Sequence, residues 1–298
     1  MRKQQVTAAA SVLSVIVWPT AGCAPPRAGD KAAEQAPATK PRRVASLSIG
    51  TDEILCALVE PERIVALSKH APDPEASYVA ALAKLIGVFV DREPERIVAL
   101  RADLALLARY TKAELRQAVE QTETPTLVVE DFRSLSDIEN NIRRIGRAVG
   151  EAERAEAVIA DMRAKLAQAR AALRSDRAGW RALYVMPPLV VAGKETIADV
   201  KLTAAGLRNA AAEAGLTGNV TLSAEALLKL DPDVIFVATG FASDAGFRER
   251  LLSDPQLAAL SAARRRRILA LPSRSLRTVS HHAADAALEI AQAVNALP

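Results

Sequence analysis

The segments ERIVALRADLALL (residues 95–107) and EALLKLDPDVIFV (residues 225–237) share the pattern that decides the fold. Glutamate opens each segment, leucine and then aspartate follow in the same register, and each segment ends in an apolar run. This pattern predicts a short helix, a tight turn and a buried strand in both segments. Since a chain of 298 residues has room for two domains, the repeat predicts two related lobes.

Short apolar runs alternate with helical patterns on both sides of the repeat. Strands are predicted at residues 43–47, 63–68, 103–108, 126–129, 182–185, 234–237 and 268–271. Helices are predicted at residues 52–59, 111–121, 134–149, 151–173 and 281–297. This alternation is typical of an α/β fold with mainly parallel sheets, and it excludes an all-α or all-β chain.

A long helix is predicted between the two α/β blocks. Its apolar residues follow a period of 3.6 and lie at Ala155, Val158, Ile159, Met162, Leu166, Ala169 and Leu173. Such a helix is about 35 Å long and would join the lobes as a stiff spine, although packing within one lobe is the alternative. The predicted domains are a first lobe at 42–150, a linking helix at 151–175 and a second lobe at 176–298.

The N-terminus has the layout of an export signal. Arg2 and Lys3 precede an apolar run, and small residues lead to Cys23. We therefore predict a signal peptide at residues 1–22, lipidation of Cys23 and a flexible tether at 23–41. The protein is then expected to be periplasmic or otherwise extracytoplasmic, held to the membrane only by its lipid. An ordinary signal peptide, cleaved elsewhere, is the alternative. Cys56 is expected to be a structural thiol.

Composition and motifs narrow the function. The net charge is only +4, and the basic run at 264–267 has no interleaved aromatic residues, so no nucleic-acid partner is predicted. The sequence has no glycine-rich phosphate loop, no GxSxG elbow and no HExxH motif. We therefore predict neither enzymatic activity nor a cofactor.

An ordered set of segments resembles a known family, the helical-backbone periplasmic binding proteins of ABC importers for cobalamin, haem and iron siderophores. The segments that carry this resemblance are residues 43–48, 51–55, 94–107, 193–197 and 223–237. The resemblance covers about residues 42–297. It implies a monomeric binding protein with two α/β lobes joined by a long helix, a ligand cleft between the lobes, and permease and ATPase subunits as partners. A lipoprotein sensor or scaffold of the same fold remains a second class. It also implies that Glu95 and Glu225 dock on permease arginines, a contact that suits carboxylates.

Candidate ligand contacts come from loops that follow predicted strands. By the resemblance, His70 occupies the place of an aromatic ligand contact. His281 and His282 follow Ser280, the predicted N-cap of the last helix. Weaker candidates are Tyr110, Pro187, Phe241 and Arg277.

The three histidines are possible ligands of a metal, and we rank a metal chelate above a free metal because no closely spaced ligand cluster is present. Cobalamin or an iron siderophore is the expected cargo, with haem as an alternative. The scarcity of tryptophan, with only Trp18 and Trp180, weakens the case for cobalamin.

Overall fold

A computed structural model describes residues 40–91, 99–122 and 124–298, which form two lobes, each built on its own sheet. The predicted signal peptide, most of the tether, Cys23 and Glu95 lie outside these residues. The first sheet has five parallel strands in the order β3-β2-β1-β4-β5. The second has six strands, with the path β11-β10-β6-β7-β9 and β8 paired to β6. The predicted α/β class with two lobes is confirmed.

The first lobe places helices on both sides of its sheet. Its strands are β1 (Val44–Ser46), β2 (Ile64–Ser68), β3 (Phe89–Val90), β4 (Leu104–Ala108) and β5 (Thr126–Val129). Its described helices are α1 (Ile49–Leu58), α2 (Ala80–Ile86), α3 (Ala113–Glu120) and α4 (Leu135–Val149). Ser134 caps α4 in a capping box with Asp137. This local signal explains why the start of the helix could be predicted correctly from the sequence.

The second lobe is a mixed sheet. The strands β6 (Arg181–Met186), β10 (Val234–Thr239) and β11 (Ile268–Pro272) are parallel, whereas β7 (Val190–Ala192) runs antiparallel to both β6 and β9. The two remaining strands are β8 (Arg208–Asn209) and β9 (Asn219–Thr221). The described helices after the long helix are α6 (Ile197–Ala204), α7 (Ala210–Glu213), α8 (Ala224–Leu230), α9 (Phe247–Ser253), α10 (Ser261–Arg264), α11 (Ser273–Arg277) and α12 (Ala283–Asn295).

The repeated aspartate holds equivalent strand starts in the two lobes. Asp103 accepts hydrogen bonds from the backbone N–H groups of Arg42 and Arg43, just before β1. Asp233 accepts one from the N–H of Arg181, the first residue of β6. In both lobes the carboxylate therefore connects the strand that ends the repeat to the central strand beside it. These pairs are β4 with β1 and β10 with β6. This shared contact explains why aspartate occurs at the same position in both copies of the repeat.

The turn inside the repeat is also the same. Arg101 and Asp231 occupy equivalent positions, and both adopt left-handed backbone angles, with φ of 44° and 33°. The side chain of Arg43 donates to the carbonyls of Leu100 and Arg101, and the side chain of Arg181 donates to that of Asp231. Left-handed angles cost energy in non-glycine residues, so these side-chain contacts support a strained turn.

The long helix α5 (Ala152–Ala172) follows α4 directly and runs behind both lobes. With 21 residues it is about 32 Å long. Ala155, Ile159, Met162 and Ala169 are buried, so the predicted apolar face is the one that packs. The apolar periodicity of the sequence therefore predicted the position of this helix correctly.

The lobes share apolar packing at their junction. Ala283 and Ala284 at the start of α12 belong to the core of the first lobe, and so does Ile197 at the start of α6. The rest of α12 packs in the core of the second lobe, where Ile290 and Val294 are buried. The lobes are therefore joined by more than α5, and the domain limits drawn from sequence remain predictions.

Candidate ligand-binding cleft

A cavity of about 580 Å³ opens between the lobes at the carboxyl ends of the central strands. The first lobe supplies the loops that follow β1, β2 and β4, and the second lobe supplies the loop after β10 and the segment after α11. Loops in this position can vary without disturbing the sheets, so binding sites of α/β proteins commonly lie there. Its lining includes Ser48, His70, Tyr110, Lys112, Phe241, Arg277 and Val279.

His70 and Phe241 meet across the cleft from opposite lobes. Their ring centroids are 5.3 Å apart, and the rings are nearly perpendicular at 83°. The guanidinium of Arg277 lies 5.0 Å from the Phe241 ring and is held by Asp244 at 2.5 Å. Since Asp244 is buried, Arg277 is fixed in place at the cavity wall. The three predicted residues His70, Phe241 and Arg277 thus form one side of the site.

Burial and the neighbouring charge of Lys69 lower the pKa of His70. A lowered pKa keeps the imidazole neutral at neutral pH. A neutral imidazole has one ring nitrogen free to accept a hydrogen bond or to ligate a metal. His70 is therefore suited to a ligand that carries a metal ion.

Tyr110 forms the opposite side of the cavity. Its side chain is 55% exposed, and its ring lies 5.2 Å from that of Phe132. Gly50 leaves room beside it, because a Cβ there would lie 3.0 Å from the Tyr110 hydroxyl and 2.6 Å from Val279 of the other lobe. Glycine is needed here because a side chain would collide with Val279.

Three basic side chains line the cavity, and two of them are paired with acids. Lys69 is paired with Asp91 at 2.7 Å, whereas the exposed Lys112 has no ion pair among the described residues. With Arg277, these cations favour a ligand with polar or anionic edges.

His281 and His282 do not line this cavity, so the sequence-based placement of them is corrected. His282 stacks on Tyr78 at 4.6 Å and contacts Asp285 at 2.6 Å. His281 is tucked beside it, and burial lowers the pKa of its imidazole to about 3. The chain turns away from the cleft after Val279, and this carries both rings behind it. The N-cap of α12 is His282, not Ser280.

Pro187 is also misplaced by the sequence interpretation. It lines a separate depression of about 510 Å³ on the second lobe, together with Phe247 and Arg250. The hairpin between β6 and β7 directs Pro187 outwards, away from the cleft. It therefore does not line the cavity between the lobes, and its contact with a ligand stays a prediction.

Glu225 lies on the surface near the start of α8, and its side chain is 77% exposed. Lys229 pairs with it one turn later at 2.8 Å. Glu95, the proposed counterpart on the first lobe, lies outside the described residues. The predicted docking role of both acids therefore stays a prediction.

A buried carboxylate joins the lobes behind the cleft. Glu53, on α1 of the first lobe, accepts hydrogen bonds from the hydroxyls of Thr278 and Ser280 at 2.7 and 2.6 Å and from the N–H of Tyr78 at 3.1 Å. Glu53 is completely buried. The segment that crosses between the lobes is thus tied to the first lobe by one side chain. Sequence analysis missed this role, since Glu53 reads as an ordinary acid near a helix start.

Two absences are limited to the residues that the structure describes. Among them, no group of three or more His, Cys, Asp or Glu side chains could hold a metal ion. No helix in the described ranges has both the length and the apolar character needed to cross a membrane.

Two lobes, a spine helix and a cleft lined by both lobes are the arrangement of a two-lobed binding protein. The sequence profile of the periplasmic binding protein family matches residues 44–275. The chain belongs to this family, and it functions outside the cytoplasm.

Comparison with individual proteins agrees with this family. The chain is 25% identical over 214 residues to the uncharacterized ABC transporter substrate-binding lipoprotein YvrC of Bacillus subtilis, covering 69% of this chain and 66% of YvrC. It is 28% identical over 212 residues to a cobalamin-binding protein of Halobacterium salinarum, covering 69% and 56%. The chain thus spans less than two thirds of either relative.

A solved structure extends the similarity to the whole fold. The periplasmic haem-binding protein RhuT from Roseiflexus, in its apo form, superposes with a TM-score of 0.71 at 28% identity. The match covers 85% of this chain and 97% of RhuT.

Proposed function

We propose that this protein is the substrate-binding lipoprotein of an ABC importer, which captures a metal chelate and delivers it to a permease. The observation that carries the proposal is the contact between His70 and Phe241 across a cavity of about 580 Å³. A neutral imidazole opposite an aromatic ring suits a flat ligand with a central metal. The names of the relatives, which include an ABC transporter lipoprotein and a cobalamin-binding protein, support the same class.

Cobalamin and iron siderophores are the first candidates for the cargo. Haem is the alternative, and the basic rim formed by Lys69, Lys112 and Arg277 favours it, because haem carries two carboxylates at its edge. The periplasmic haem-binding protein RhuT supports this alternative. Lipidation of Cys23 would keep the protein at the membrane surface, near its permease.

A thermal-shift and absorbance titration of the mature domain tests the proposal. The panel is cobalamin, haemin, ferric hydroxamate and catecholate siderophores, and free zinc. A ligand that binds only the folded state raises its melting temperature. We expect one chelate to bind, and His70→Ala to weaken that binding by about tenfold, or about 1.4 kcal/mol.

His282→Ala is the matched control, since His282 lies outside the cavity, and its affinity should equal that of the wild type. Equal losses in both variants would remove His70 from the site. If no chelate bound, the importer proposal would be abandoned in favour of a sensor or scaffold.

Docking gives an independent prediction. The double variant Glu95→Ala, Glu225→Ala should keep its ligand affinity but reduce cellular uptake of the ligand by about tenfold or more, because two charged contacts with the permease are lost. The measurement is uptake of the bound chelate by cells that produce the variant in place of the wild type. A control pair, Glu62→Ala with Glu249→Ala, removes two exposed acids elsewhere and should transport normally. Loss of ligand affinity in the docking variant would argue against the assignment.

A further inference from the structure

A second cavity, of about 500 Å³, lies on the other side of the segment from Arg277 to Val279. These residues line both cavities, so they form a partition between them. The second cavity is walled mainly by the second lobe, with Phe132 and Arg133 from the first. The space between the lobes therefore has two compartments, and the cavity at His70 is only one of them.

Tyr184 in the wall of the second cavity has an unused hydrogen-bond donor. The residue is only 3% exposed, and its hydroxyl makes no hydrogen bond with any described residue. The guanidinium of Arg277 lies beside it, but a guanidinium can only donate, so the hydroxyl proton still has no acceptor among the described residues. Burying an unpaired hydroxyl costs about 1 to 3 kcal/mol. A phenylalanine would avoid this cost, so the hydroxyl is suited to a partner that is not part of the chain.

Lys201 lies in the same wall and is 1% exposed. Its ammonium group donates to the carbonyls of Leu276 at 2.5 Å and Thr278 at 3.3 Å. An ammonium has three donors, so one remains for a ligand. Burial lowers the pKa of Lys201 to about 7, although the charge of Glu53 opposes that shift. A bound anion would hold the proton on this amine.

The other charged groups at this cavity are Arg133, Arg277 and Glu195. Glu195 is exposed, and the pair between Arg133 and Asp131 is a loose, solvent-exposed one at 3.7 Å. The buried part of the wall thus carries donors and a cation, whereas the acid lies at the surface. The chemistry that fits this wall is an oxyanion, a carboxylate or a phosphate.

We propose that the second cavity binds a carboxylate or phosphate arm of the same ligand whose metal chelate occupies the first cavity, with Tyr184 and Lys201 as its donors. The inference rests on the proposed function, since it assigns a chelate to the first cavity. It narrows the ligand to chelates with an oxyanion at the end of a flexible arm or at one edge.

The test uses pairs of chelates that differ only in the arm. Cobalamin is compared with cobinamide, which lacks the nucleotide phosphate, and haemin with its dimethyl ester, which lacks free carboxylates. In the pair that binds, Tyr184→Phe should weaken the armed member by about tenfold and leave the armless member unchanged. The melting temperature of ligand-free Tyr184→Phe should equal or exceed that of the wild type, which a merely structural role would not give.

Proton uptake provides a second readout for Lys201. Calorimetric titration of the armed chelate at pH 8, in two buffers of different ionisation enthalpy, should show proton uptake by the wild type and none by Lys201→Met. Millimolar inorganic phosphate should compete with the armed member. The proposal is wrong if Tyr184→Phe affects both members alike or neither, or if phosphate binds without competing. Chelate binding without these differences refutes only this inference, whereas no chelate binding refutes the proposed function with it.

Discussion

Glu53→Ala should lower the free energy of unfolding by at least about 3 kcal/mol, because several buried partners lose their acceptor at once. The hydroxyls of Thr278 and Ser280, which are both buried, and the N–H of Tyr78 would be left without the carboxylate. The removed side chain would also leave a cavity between the lobes. Urea unfolding of the wild type and the variant measures the difference.

Glu62→Ala is the control for this experiment. Glu62 is exposed, so its loss should change stability by no more than about 0.5 kcal/mol. A Glu53→Ala protein as stable as the control would show that the hydrogen bonds between the crossing segment and α1 contribute little.

The variant Asp52→Asn should gain stability relative to the wild type by roughly 3 kcal/mol between pH 4 and pH 7. Asp52 is completely buried, and burial raises the pKa of its carboxyl to about 7, against hydrogen bonds from Ser46 and Ser68 that lower it. Between pH 4 and 7 the folded protein therefore keeps a proton that the unfolded chain has released. In that window the stability that Asp52 contributes falls as the pH rises.

The contribution of His281 to the free energy of unfolding changes in the opposite direction with pH, over nearly the same pH range. Its pKa of about 3 in the folded protein lies below the ordinary value of 6.5, so the unfolded chain binds the extra proton between those values. Stability from His281 therefore rises with pH in that window. The two buried groups compensate in the wild type, and Asp52→Asn should expose the slope of His281.

Urea unfolding at pH 4, 5, 6 and 7 tests both statements. The difference between Asp52→Asn and the wild type should grow steadily with pH, and His281→Ala should show the reverse trend. A difference that does not vary with pH would mean that Asp52 is already ionised in the folded protein at pH 4.

Sequence alone could predict the elements whose signal is local. The strand at 126–129, the helix after Ser134 and the apolar face of α5 are encoded by runs, caps and periodicity within a few residues, and all three are confirmed. The repeat also predicted that the lobes are related, because Asp103 and Asp233 repeat at a fixed register. Elements predicted from local patterns of this kind are also found in the folded protein, since each is stabilised largely within its own segment.

The cleft could be predicted only in part. His70, Tyr110 and Phe241 lie in loops that follow strand ends, and the rule that such loops form sites places them at the cavity. Arg277 also lines the cavity, although it ends the helix α11. The same rule fails for Pro187, because it does not say in which direction a loop turns. The direction is set by packing between distant segments, which no local pattern records.

The roles of the buried polar residues Tyr184 and Lys201 could not be predicted either, because they too depend on contacts between distant segments. Tyr184 reads as one more apolar residue of a buried strand, and Lys201 as a surface residue of α6. Only the folded chain shows that Lys201 meets the carbonyls of Leu276 and Thr278, some 75 residues further on. A lysine within a predominantly apolar helical segment was the one signal in the sequence that could have drawn attention to this site.

The packing of α12 makes the core of the first lobe depend on the last part of the chain to be synthesised. Ala283 and Ala284 complete the core of the first lobe, although residues 44–149 of that lobe leave the ribosome far earlier. Nascent domains usually fold one after another as they emerge. Here the core of the first lobe is complete only once residues 283 and 284 have been made, so nearly the whole chain is synthesised before that core can close.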